Sequence, residues 1–183
     1  MSLDLNTVDE LYHGSPERVP FPDAFFSSDN RDFGRGFYLF PSRDDAYDWA
    51  LIKKRRLRTE EAFVNRYALL IQDLSIYCFS KDSESDLLSW VKYIIYSRGY
   101  RDIVAKSPFD GSNADVIVGP VANNVLAEAF DLLLTGRIPG KTLDEVLRNF
   151  LPYLEYDRLD YQICLKTKKA ERALRFNGAD KCY

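Results

Sequence analysis

The stretch Asp32-Phe33-Gly34-Arg35-Gly36-Phe37-Tyr38-Leu39-Phe40 constrains this chain more than any other. Two glycines flank Arg35, and glycine is the residue a backbone needs where φ turns positive or where another group leaves no room for Cβ. The apolar and aromatic run that follows favours a pleated strand, and Pro41 stops it. Ser42 then precedes Asp45 by the spacing of a capping box, so a helix opens there and carries Ala46, Tyr47, Trp49 and Ala50. A second stretch, Leu11-Tyr12-His13-Gly14-Ser15, sets the one histidine of the chain directly before a Gly-Ser-Pro turn signal. Two strands ending in such residues imply a cleft.

A cleft needs a scaffold, and 183 residues that are 46% apolar and 14% aromatic suffice for one domain with a real core. Residues 1–10 are polar and are expected to form a flexible N-terminus, with a single domain over 11–183. The net charge of −3 implies no polyanion partner. Cys78, Cys164 and Cys182 show no CxxC spacing, and one histidine leaves little for a transition metal, so a reducing cytoplasm fits and no metal is expected. The N-terminus has no apolar stretch long enough for a signal peptide or a membrane span, which argues against export and a membrane partner.

Along the chain, Ser15 to Asn30 reads as a Pro-rich aromatic loop. The basic run Lys53-Lys54-Arg55-Arg56-Leu57-Arg58 closes the first helix, either as a solvated face that suits the macrodipole or as a patch for nucleic acid or an acidic partner. Residues 62–79 read as one or two core strands. Ser83 with Asp86 caps a helix presenting Leu87, Val91, Ile94 and Ile95 and ended by Gly99. Asp115 to Pro120 is a strand with a turn, Val125 to Leu134 an apolar helix ended by Gly136, and Thr142 with Glu145 caps a helix reaching Leu151. Tyr161 to Leu165 alternates as a late strand, with Tyr161, Ile163 and Leu165 on one face and Gln162 and Cys164 on the other, the polar face opening on the cleft. Ala170, Ala173 and Leu174 are placed on a short terminal helix. Strands and helices mix without regular βαβ alternation, so the class is α+β.

A His-Gly pair closing one strand and a Gly-x-Gly-aromatic-Tyr entering another resemble the ADP-ribosyltransferase superfamily, in its His-Tyr-Glu branch. Leu11 to Ser15, Asp32 to Leu39, Ala46 to Ala50, Asp115 to Pro120 and Tyr161 to Thr167 resemble more closely a bacterial family of unknown function, DUF3990, assigned to that fold. These blocks run along nearly the whole chain, and their order is more specific than any one of them. The resemblance implies a split β-sheet with flanking helices and NAD as the substrate. It also implies a macromolecular acceptor, protein or nucleic acid, and a small antitoxin protein as partner of a bacterial toxin.

Such transfer breaks the bond between nicotinamide and its ribose through an oxocarbenium-like transition state, so the site holds the dinucleotide bent and excludes water. On the resemblance, His13 bonds the adenosine-side ribose and the Gly14 backbone pairs with the nicotinamide carboxamide. Tyr38 stacks on the cationic nicotinamide ring, an attraction of roughly 0.5 to 2 kcal/mol. Trp49, or else Tyr47, forms the opposite wall, and Ser15 and Gly36 complete the cofactor-binding set. Each has a structural competitor: a satisfied buried histidine, a core aromatic, a helix anchor, an ordinary turn glycine. The third signature position, a glutamate in the superfamily, is matched here by Gln162, which orients a ribose but supplies no charge and no base. Glu155 and Asp160 are the nearby carboxylates, and Asn123-Asn124 stands where relatives are expected to be acidic. Two other readings stay open, a module that binds NAD or ADP-ribose without turnover and an RNA 2′-phosphotransferase.

Overall fold

A computed structural model describes residues 3–27, 30–107, 114–121, 130–154 and 159–183. Asn123, Asn124, Glu155 and the first part of the helix expected from Val125 lie outside the described residues; 130–134 is helical and is followed by Gly136 at φ +69°. The chain is α+β and its strands form two sheets. The first takes the order β1–β3–β7, from β1 (Leu11–Ser15), β3 (Phe63–Leu69) and β7 (Leu174–Lys181), all antiparallel. The second takes the order β2–β6–β5–β4, from β2 (Phe37–Leu39), β6 (Tyr161–Leu165), β5 (Val116–Pro120) and β4 (Ile76–Cys78), with only β4 and β5 parallel. A bridge between Tyr12 and Phe40 joins the two sheets.

Alternation along the strands explains how the layers stack. Leu11 and Tyr67 from the first sheet share one cluster with Phe37, Leu39, Val116, Val118, Tyr161, Ile163 and Leu165 from the second, so this core lies between the sheets. Ile117 and Cys164 point the other way, into a cluster with Trp90, Val91, Ile94 and Ile95 of α2 (Glu84–Ser97) and with Leu147 and Phe150 of α3 (Leu143–Phe150). The outer side of the first sheet is covered by α1 (Arg43–Leu57), whose Ala46 and Ala50 pack with Val64 and Phe40. Ser42, Ser83 and Thr142 cap the three helices, each accepting from the backbone N–H three residues on.

The structure corrects the reading of the sequence in two places. Leu174 opens strand β7, and the preceding helix α4 (Lys168–Arg172) is only five residues long. The strand was hidden because Gly178, at φ +135°, and a register shift at Arg66/Tyr67 break its alternation. β4 lies at a sheet edge with Ile76 exposed, so residues 62–79 are not uniformly core. Near the N-terminus, Leu5–Thr7 forms a 3-10 turn capped by Asp4, and Leu3, Leu5 and Val8 pack against the inter-sheet core.

Candidate functional site

The bridge at Tyr12 decides what the end of β1 can offer. Tyr12 and Phe40 exchange both backbone hydrogen bonds, at 2.8 and 2.7 Å, so at Tyr12 the peptide groups point away from β3. Gly14 stands two residues on, and by strand parity its N–H and C=O point the same way, off the open edge of β1. No hydrogen bond to either is present among the described residues. Glycine is required there by α1: a Cβ would lie 2.1 Å from the Ala46 carbonyl oxygen and 2.6 Å from the Ala50 nitrogen. Ser15 is buried, and its Oγ accepts from the Glu17 N–H.

His13 sits on the other face of β1, stacked on Phe37 with ring centroids 4.5 Å apart. Its Nδ1 lies 2.7 Å from the Tyr38 carbonyl oxygen. A carbonyl only accepts, so Nδ1 carries the proton and Nε2 presents a lone pair, toward the Lys53 Nζ at 3.4 Å. Part of the ring surface is open, but protein surrounds it closely, and burial, then the Lys53 charge, holds its pKa down at about 3. The imidazole is therefore neutral at physiological pH and accepts at Nε2. Asn65, fully buried, fixes the following loop by donating to the His13 and Glu17 carbonyls and accepting from the Val19 N–H.

Tyr38 meets His13 through its backbone only. Phe37 and Leu39 face the inter-sheet core, so the Tyr38 ring lies on the opposite face of β2, beside Phe33. Its hydroxyl donates to the Gly34 carbonyl and accepts from the Phe33 N–H at 3.1 Å, pinning the glycine turn. Burial above all raises its pKa well above the ordinary phenol range, so it stays neutral. The same turn is held by Asp32 to Arg98 at 2.6 Å, by the Tyr93 hydroxyl to the Phe33 carbonyl, and by Lys166 to the carbonyls of Phe33 and Arg35. Gly34 takes φ +70°, whereas Gly36 is needed for closeness: a Cβ there would lie 2.3 Å from Cys164 Sγ.

Gln162 pairs with Gly119, and by alternation shares the outer face of the second sheet with Cys164 and Tyr38. That face does not open throughout, because Cys164 is fully buried and its thiol pushed up to about 12 by burial. Gln162 at its end is half-buried, and its amide makes no hydrogen bond among the described residues. Asp160 is exposed and close enough to Asp45, at the start of α1, to raise the Asp45 carboxyl in addition to burial. Tyr47 and Trp49 flank the Ala46–Ala50 stripe on opposite sides. The Tyr47 hydroxyl donates to the Tyr183 carbonyl, and the Trp49 ring lies 5.7 Å from the Arg56 guanidinium.

The structure thus brings His13, Gly14, the Tyr38 backbone and α1 together and places Tyr38 and Gln162 on a shared sheet face. Sequence reasoning missed Lys53, Asn65 and Asp45. The i, i+4, i+7 stripe Ala46–Ala50–Lys53 would have exposed Lys53 as the inward member of its basic run. Cavities of about 480 Å³ beside Lys81, Glu84 and Arg148 and about 230 Å³ beside Arg98 and Phe130 include none of these residues. Among the described residues no cluster of His, Cys, Asp and Glu could hold a metal, and no helix is long and apolar enough to cross a membrane. A family model described as "Protein of unknown function (DUF3990)" matches residues 10–176. No curated protein and no solved structure matches the chain.

Proposed function

The chain belongs to the DUF3990 family, and we propose that it has an ADP-ribosyltransferase-like fold, binds NAD and transfers ADP-ribose to a macromolecular target, as the toxin of a bacterial toxin–antitoxin pair in the cytoplasm. The observation that carries this reading is the 2.7 Å bond from His13 to the Tyr38 carbonyl, beside the outward backbone of Gly14. One hydrogen bond holds both motifs in register and sets the imidazole tautomer. His13 Nε2 then accepts from a ribose hydroxyl, and Gly14 offers the donor and acceptor pair that a carboxamide needs.

The Tyr38 ring, fixed by its hydroxyl, packs against the nicotinamide, and Gln162 orients the ribose. Negative charge for the oxocarbenium falls to Asp160, the carboxylate two residues before Gln162. The acceptor and antitoxin assignments rest on the resemblance to the ADP-ribosyltransferase superfamily alone. A second reading, an NAD- or ADP-ribose-binding module without turnover, is favoured by the neutral Gln162 amide. Titration calorimetry with NAD tests the shared premise: Tyr38→Ala should weaken binding about tenfold, from lost stacking of about 1 to 2 kcal/mol. A folded Tyr38→Ala protein with unchanged affinity removes this placement.

A further inference from the structure

Within the basic run that closes α1, Arg55, Arg56 and Arg58 are exposed, but Lys53 is not. It continues the stripe of Ala46 and Ala50, which packs onto β1, and so its side chain is carried to the end of that strand. There its Nζ meets His13 Nε2 at 3.4 Å, a neutral acceptor that balances none of its charge. No carboxylate forms an ion pair with Lys53 among the described residues; burial, then the charge of Arg31, holds the Lys53 pKa down at about 8, against a weaker opposite pull from Glu17. Arg31 is exposed and has no ion pair among the described residues. Its backbone carbonyl accepts from the Gly34 N–H at 2.9 Å, so it projects from the rigid glycine turn.

Lys53 thus reaches His13 from α1, and Arg31, on the glycine turn, stands within electrostatic reach of Lys53, with Glu17 offsetting only part of this charge. A half-buried ammonium in that position is a burden to the fold unless an anion arrives. We propose that Lys53, with Arg31 and His13 Nε2, forms an anion subsite that takes the pyrophosphate of a nucleotide. The ammonium turns from Nε2 to pair, with the guanidinium, with phosphate oxygens, and the Nε2 lone pair so released receives a neighbouring hydroxyl, which selects a phosphorylated sugar over a simple anion. This deepens the NAD reading and rests on it for the identity of the nucleotide.

The test measures binding of inorganic pyrophosphate and of ADP-ribose by calorimetry, with thermal melting, for the wild type, Lys53→Met, Lys53→Arg and Arg31→Gln. Lys53→Met should melt no lower than the wild type while losing about tenfold or more in affinity for both ligands. Lys53→Arg should keep most of the affinity. Arg31→Gln, at an exposed position, should fold normally and lose severalfold. Wild-type affinity in both Lys53→Met and Arg31→Gln, or a wild type that binds no pyrophosphate at millimolar concentration, overturns the subsite. NAD binding that ignores Lys53 keeps the dinucleotide reading and removes the subsite. Lys53-dependent pyrophosphate binding by a protein indifferent to NAD does the reverse.

Discussion

Because His13 is the only histidine, its protonation can be read from folding stability without interference from another imidazole. In the folded protein its pKa is about 3, against an ordinary value of 6.5. Between these values the unfolded chain binds a proton that the folded chain does not, so stability rises with pH through this window and is lost as pH falls. At pH 5 the loss from this one group is about 2 kcal/mol, from RT ln(1 + 10^1.5). His13→Asn is the matched control, since an asparagine Nδ2–H can replace Nδ1–H at the Tyr38 carbonyl while carrying no titrating group. Urea unfolding at pH 7.5 and pH 5 should show the wild type losing about 2 kcal/mol more than His13→Asn. The carboxylates titrate in both proteins and cancel in the difference. Equal losses would refute the buried neutral imidazole and with it the tautomer on which the ribose contact depends.

The other predictions are these. Gly14→Ala and Gly36→Ala should each lower stability by about 1 to 3 kcal/mol in denaturant unfolding, because the added methyl meets α1 backbone or the Cys164 sulfur and Leu165 carbonyl. Tyr38→Phe should cost about 1 to 3 kcal/mol by releasing the Gly34 carbonyl and Phe33 N–H, yet leave NAD affinity within about twofold, since the ring stays. In a Trp90→Phe background, Trp49 fluorescence should respond to NAD if that indole forms the second wall; silence, with binding shown independently, makes it a partner of Arg56 only.

What the sequence made legible was what local chemistry dictates. Ser42, Ser83 and Thr142 each reveal a helix start because the side-chain oxygen reaches only the third N–H beyond it. The two faces of β6 follow from strict alternation between Tyr161 and Leu165. Long-range pairing was out of reach: nothing in Leu174 to Lys181 announces a partner for β3, since its bulge and charges erase the period. The role of the Tyr38 hydroxyl was equally hidden, because a tyrosine read as a stacking surface gives no sign that its oxygen will hold the turn four residues before it. Lys53 is set apart from Arg55 and Arg56 by helical phase, which a count of charges ignores.

The central claim is transfer from NAD, and nicotinamide release measures it most directly. The wild type, Gln162→Ala and Gln162→Glu are compared with and without cell lysate as the source of acceptor, after folding and NAD binding are confirmed for each. The account predicts release by the wild type that rises with lysate, a lower rate in Gln162→Ala with modest loss of binding, and an equal or higher rate in Gln162→Glu, whose carboxylate stabilises the developing positive charge. No release from any of the three contradicts the transferase, and identical rates in all three place Gln162 outside the site.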